Sequence, residues 1–405
     1  MQSSKALLSY FTLIISTAIS AQSWHQAPDF PGTARDDGSA FTVGDVAYFG
    51  TGLEVGWNPT RDFYAFSASE GWYAIAPLPE GMERQYACGC ASGGYGYIFG
   101  GVGSGDNYFN DLWRYSPDED AWTAMAPHPG AGRSGMACFS MNDKLYFVGG
   151  RIGQGNHTAE SWIYHTADNT WEQIADYPGG GVWRMQAGVH GATGERAVFT
   201  GTGMNEDGSI YSGMYTFLEA SDGWSTTPVG VLPGGGRIYA SMGRYMGDAV
   251  IFGGQDEDGD FLNDFKNWEW VGLNWNELAP LPSFERRGGM MTSIGPHIIY
   301  TTGLNADLER IKETWTTTIV TNIDRIDRDR AITLYPNPGS GQLRIQGLPD
   351  GISELRFFSL DGKMVYSAQV DRDGEVSTAP LPKGMYIAEI TMATGEVERR
   401  KWVKE

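Results

Sequence analysis

At 405 residues the chain is longer than one average domain, so two folded units, or one large repeat fold with a small companion, are expected. Its 56 glycines, 14 tryptophans and 20 tyrosines beside only 19% charged residues suit a turn-rich all-β protein and argue against disorder and against a helical fold. The net charge of −20 sits in residues 22–321, with 16 Lys/Arg against 36 Asp/Glu, which argues against nucleic acid and anionic membranes as partners and serves the solubility of an exported protein.

Residues 1–21 read as a signal peptide: Lys5 gives a positive start, ALLSYFTLIISTAIS an apolar stretch, and Ser20-Ala21 a small-residue cleavage site. The apolar run is too short and too rich in Ser/Thr for a strong membrane span, and no later segment approaches one. The mature protein is expected outside the cytoplasm.

A repeat follows. Trp24, Trp72, Trp122, Trp171, Trp224 and Trp275 fall 48, 50, 49, 53 and 51 residues apart. Pro31, Pro79, Pro129, Pro178 and Pro282 come seven residues after five of them, and Pro233 nine after the other. Arginines then recur at 35, 84, 133, 184, 237 and 286, and β-rich runs end at Gly52, Gly101, Gly150, Gly203, Gly254 and Gly303. Four markers on one period of about 50 predict units of four short strands, in the third unit SGMACFSM, KLYFVGG, ESWIYHT and TWEQIA. A single four-stranded sheet cannot bury both apolar faces; stacked in a ring, each covers its neighbours. Glycine at the strand end leaves room where a bulky neighbour approaches, and the tryptophan plugs the space between sheets.

The diglycine of YIFGG and YFVGG, the spaced aromatics of DLWRYSP and the tryptophan after an acidic turn resemble kelch repeats, six times over residues 22–321. The resemblance implies an all-β, six-bladed kelch-type β-propeller. Thr51, Thr202 and Thr302 depart from it by replacing the first glycine, and FKNWEWVGLNW departs from the usual third strand of the fifth unit. The region opens on a fourth-strand element holding Trp24 and ends on a third-strand element holding Trp315, so the N-terminal strand is expected to complete the sixth blade.

Strand parity puts the connections between blades and the long post-glycine loops on one face, where recognition usually sits. Arg35, Arg84, Arg133, Arg184, Arg237 and Arg286 belong to that face. As a rim of six guanidiniums they would hold carboxylates or other anions, and the resemblance implies contact with acidic ligand segments. Alternatively, each pairs with a nearby Asp or Glu and braces the blades. Trp57, Tyr86, Tyr108, Trp183 and Tyr239 near the opening would stack on sugar rings or pack against loops.

No metal site or cofactor is expected. Asp256–Asp260, DEDGD, spaces carboxylates as a calcium loop does but lacks the downstream glutamate and flanking helices. Cys88, Cys90 and Cys138 cannot all pair; Cys88 and Cys90 share a strand face, and all three read as small core residues, with a disulfide or metal role as the alternative.

After a charged linker, 322–330, the tail from Ala331 alternates strands with NP, DG and KG turns, predicting a small Ig-like β-sandwich. YPNP, LRI, FSLDGKMV, LPKGMYI and a basic C-terminal strand, in that order, resemble the C-terminal sorting domain of the type IX secretion system of Bacteroidetes. That resemblance implies a secretion-machinery partner and export to the outer cell surface or medium of a Gram-negative bacterium. A carbohydrate-binding or spacer sandwich is the alternative.

No nucleophile–base–orienter set, metal quartet or cofactor fingerprint can be assembled from these residues. The expectation is a monomeric, non-enzymatic module binding a glycan, acidic small molecule or protein at the channel mouth. The alternative is a sugar-acting enzyme, because six-bladed kelch proteins include a sialic-acid mutarotase-like group; Glu83, Arg84 or His190 would then supply proton transfer beside an anion clamp. A copper-radical oxidase finds no Tyr/His/Cys ligand set in repeat register.

Overall fold

The computed structural model describes residues 22–319 and 333–404, apart from 154, 191–195, 200–201, 219–222, 270–273, 336–337, 347–351, 360–362, 369–374 and 393–396. The expected signal peptide and linker lie outside the described residues. The chain divides into two compact units, up to Val320 and from Thr321 onward. Among the described residues there is no α-helix, only one 3-10 turn at Ser104–Asp106.

Among its described residues the first unit holds six four-stranded antiparallel sheets, the fourth with an added short strand. Their innermost strands are Ser39–Val43, Cys88–Ser92, Ala137–Met141, Ala187–His190, Ser241–Tyr245 and Met290–Ile294. Each touches the next, and the sixth touches the first, so the ring is closed. Gln22–Ala27 pairs with Thr314–Ile319 as the outermost strand of the sixth sheet, which joins the two ends of the unit. The inner hairpins turn on residues that accept left-handed backbone, such as Asn142 and Asp143 at φ 46° and 59°. Strand alternation then sends apolar residues to both faces, and the cores lie between neighbouring sheets.

The repeated tryptophans do more than fill space. Trp72, Trp122, Trp171, Trp224 and Trp24 each donate an indole N–H to a carbonyl in the connection of the preceding unit: Pro28, Ala76, Ala126, Ala175 and Ala279, at 2.8–3.1 Å. The last of these crosses from the N-terminal strand to the fifth unit. The diglycine is explained by backbone: Gly100, Gly149 and Gly253 lie at φ 58–69°, and Gly101, Gly150 and Gly254 at φ 97–101°. Thr51 and Thr302 hold the first of these positions at φ 55° and 63°.

The second unit is a β-sandwich, with strand order Thr333–Tyr335, Gln342–Gln346, Glu375–Ser377 in one sheet and Met364–Ala368, Ile352–Phe358, Gly384–Met392, Val397–Lys404 in the other. Trp402, Phe357, Leu355, Leu343 and Ile390 are among its core residues.

Candidate functional site

Five of the six repeat arginines do not form a rim. Arg35, Arg84, Arg133, Arg237 and Arg286 are at most 2% exposed. Each guanidinium holds a carboxylate 27 residues on: Asp62, Asp111, Glu160, Asp264 and Glu313, at 2.5–2.7 Å. Arg84 is representative, with Nη1 and Nη2 on the two Asp111 oxygens, Nη1 also on the Gly100 carbonyl and Nε on the Met82 carbonyl. The lead-in to the innermost strand, the end of the second and the start of the third are thereby tied together. These arginines brace the blades, and their burial removes them from any anion-binding rim. Against the opposing effect of burial, the arginines hold the Asp62, Glu160 and Asp264 carboxyls below the usual range, and the Ser283 hydroxyl, then Arg286, does the same for Glu313.

Arg184 is different because it is out of register. In four units the second glycine donates to the carbonyl of the next unit's brace: Gly52 to Arg84, Gly101 to Arg133, Gly203 to Arg237 and Gly303 to Arg35. Gly150 donates to Val182, which is fully buried. Val182 therefore occupies the brace position, and Arg184 falls two residues later.

That later position forms a ring of its own. Asp37, Tyr86, Gly135, Arg184, Tyr239 and Gly288 all adopt left-handed backbone, φ 55–64°. Tyr86 N–H donates to Asp37, Gly135 to Tyr86, Arg184 to Gly135, Gly288 to Tyr239 and Asp37 to Gly288, at 2.7–3.0 Å. The four side chains of this ring converge at one end of a central cavity of about 530 Å³. Tyr86 and Tyr239, from opposite sheets, approach to 6.2 Å between ring centroids. The Arg184 guanidinium lies 3.5 Å from the Tyr239 ring centre and 3.7 Å from that of Trp183, with Nη2 3.3 Å from the Tyr86 hydroxyl oxygen. The two glycines make room: a Cβ at Gly135 would lie 2.4 Å from Trp183, and one at Gly288 2.6 Å from the Asp37 carboxylate.

Other charged groups flank this ring. The Arg287 guanidinium lies 4.0 Å from the Tyr239 ring centre and donates to Gln255; that of Arg151 lies 4.7 Å from the Trp183 ring centre. Arg310 donates to Asp36 at 2.7 Å. Neither Arg184 nor Arg287 forms an ion pair with a carboxylate among the described residues. Burial, then the neighbouring Asp36 charge, pushes the Asp37 carboxyl up to about 8, against Arg184 and a hydrogen bond with Tyr86. At neutral pH this group is therefore mostly a neutral acid. Burial and the Asp37 charge raise the Tyr86 hydroxyl as well.

Of the expected aromatics, Tyr86, Trp183 and Tyr239 meet at this mouth. Trp57 stands on a first-unit loop tip, 80% exposed, 5.8 Å from the Arg310 guanidinium. Tyr108 is half-buried on a second-unit loop, where burial raises its hydroxyl. Glu83 pairs with Arg61, not with a ring residue, and the side chain of His190 lies outside the described residues. In the DEDGD loop, Asp256 Oδ1 accepts the backbone N–H groups of Asp258 and Asp260, closing a turn. Asp37, Arg287 and Arg310 escaped the sequence reading. The spacing from proline to arginine carried the missing signal: four or five residues in the other units, six to Arg184 and four to Val182.

Residues 39–233 match the family model of the KLHDC2/KLHL20/DRC7 kelch-repeats domain, and residues 333–405 match that of the secretion system C-terminal sorting domain. The first unit thus carries kelch repeats and the second a type IX secretion sorting domain, which supports export. It is similar to N-acetylneuraminate epimerase of Yersinia enterocolitica (serotype O:8 / biotype 1B), 30% identical over 144 residues, which are 33% of this chain and 35% of that protein. The match spans about a third of that relative's length. Among solved structures it is similar to YjhT, with a TM-score of 0.62 over 71% of this chain and 95% of that one; at 17% identity the likeness establishes the fold alone. No helix among the described residues is long and apolar enough to cross a membrane.

Proposed function

We propose that the channel mouth binds a small carboxylate-bearing sugar, in a protein displayed on the cell surface or released. The observation that carries this is the position of Arg184, the one repeat arginine freed from bracing and set between aromatic faces at the cavity's end. A guanidinium so held offers paired donors to a carboxylate, and tyrosine and tryptophan faces suit the C–H faces of a sugar ring. The neutral Asp37 carboxyl adds a hydrogen-bond donor where an ionised one would repel the ligand's own carboxylate. Arg287 and Arg151 reinforce a cationic spot on an otherwise acidic body.

A second reading, a sugar-acting enzyme, is favoured by that same acid. Exchange at an anomeric centre needs a proton donor and an acceptor, and Asp37 beside Tyr86 is a donor at neutral pH. The similarity to an N-acetylneuraminate epimerase agrees with a carboxylated sugar in either reading.

Titration of the full-length protein with N-acetylneuraminate by calorimetry tests the binding site. Saturable heat is expected, lost in Arg184→Gln while that variant's melting temperature stays within about 2 °C of the parent. No saturable binding of this or other acidic sugars by the parent overturns the proposal. Anomer exchange followed by NMR separates the readings: acceleration over buffer that Asp37→Asn abolishes makes the protein an enzyme, and none leaves a binder.

A further inference from the structure

The three cysteines of the chain meet at one place. Cys88 and Cys90 lie on the innermost strand of the second sheet and Cys138 on that of the third, and these two strands are neighbours in the ring. Two apart on a regular strand, Cys88 and Cys90 share the face turned to the third sheet, where both are buried against Leu145 and Phe147. Cys138 faces back toward them. Its Sγ lies 3.2 Å from the carbonyl oxygen of Gly89, the residue between the two. All three line the central cavity. Among the described residues no cluster of three or more ligating side chains is placed to hold a metal ion.

We infer that Cys138 is an oxidation site, forming one disulfide with Cys88 or Cys90 that joins the second sheet to the third and leaves the remaining thiol free. Two thiols give up two protons and two electrons, and the acceptor is a disulfide-bearing oxidant of the compartments crossed during export, itself reduced to two thiols. Cys88 cannot serve Cys90 in this way. Two residues along an extended strand separate Cα atoms by about 6.6 Å with Cβ bonds side by side, at the outer limit of disulfide geometry. Cys138 approaches from another strand and is the common partner of either. Cys88 and Cys90 are buried and Cys138 half-buried, which slows access of an oxidant once the ring has closed and places bond formation while the two sheets dock. The spare thiol beside the bond also permits the partner to be exchanged without further oxidation.

The test uses the full chain, refolded with oxidised glutathione and alkylated without reductant. Thiol counting and peptide mass spectrometry are expected to find one free cysteine and Cys138 bridged to Cys88, to Cys90 or to a mixture. Closing a loop of about 50 residues should make the parent's melting temperature fall by about 5–15 °C on reduction. Cys138→Ser should leave two free thiols and a melting temperature indifferent to reductant, whereas Cys88→Ser and Cys90→Ser each keep one bridge. Three free thiols in the refolded parent, or a Cys88–Cys90 bond, overturns the inference; because the parent alone gives this readout, it stands even if a variant fails to fold.

Discussion

Arg84→Met is expected to lower the apparent melting temperature by about 6–15 °C, and the same change at Arg184 by no more than about 3 °C. The Arg84 side chain is fully buried and makes four hydrogen bonds, two of them to Asp111. Methionine keeps the stem's packing but supplies no donor, so two carbonyls and a carboxylate lose their partner together. Breaking a buried pair from one side costs about 3–5 kcal/mol. Asp111, 25% exposed, regains some water and sets the cost toward the lower half of that range. At about 2–4 °C per kcal/mol for a large domain, the stated shift follows. Arg184 is only half-buried, has one long hydrogen bond and stacks on rings, contacts worth about 1 kcal/mol. Differential scanning calorimetry of both variants decides, with Arg84→Met/Asp111→Asn expected to recover part of the loss by removing the orphaned charge. Equal shifts at the two positions would refute the division into braces and a ligand-facing arginine.

Two further predictions concern pH. His128, 1% exposed in an aromatic cage of Phe99, Trp162 and Trp171, has its imidazole pushed down to about 4 by burial and then by Arg133. The unfolded chain binds a proton near pH 6.5 that the folded one refuses, so stability present above that pH drains away toward pH 4, by up to about 3 kcal/mol. His128→Leu, the residue found at the equivalent Leu78, Leu232 and Leu281, should flatten that limb in melts across this window; an unchanged limb contradicts it. Asp37 runs oppositely: its raised carboxyl stabilises the fold most below pH 4, and that contribution is lost as pH rises toward 8. Acidic-sugar affinity should weaken through about pH 8 as this carboxyl ionises, and Asp37→Asn should remove the decline; a parent affinity flat from pH 6 to 9 would count against its role.

The ring was legible because every unit meets the same neighbours, so tryptophan, proline and glycine each keep their place in the period. Arginine burial was not, since a guanidinium on a loop connection reads equally as ligand site or brace until its partner is known. Yet the partner is also periodic: an acid stands 27 residues after Arg35, Arg84, Arg133, Arg237 and Arg286, and Tyr211 stands 27 after Arg184. The mouth ring was hidden for a different reason. Asp37, Tyr86, Gly135, Arg184, Tyr239 and Gly288 share a backbone conformation, not a side-chain type, and only the closed ring brings them together. The Asp37 environment likewise depends on Arg184 and Tyr86 from other sheets, which no local pattern announces.

A crystal of the full chain soaked with N-acetylneuraminate decides whether Arg184 anchors a ligand. The predicted density places the sugar carboxylate within about 3 Å of the Arg184 guanidinium, with the ring beside Trp183 or Tyr239 and Asp37 in hydrogen-bonding reach. Density seated elsewhere on the propeller, with Arg184 untouched, would contradict it.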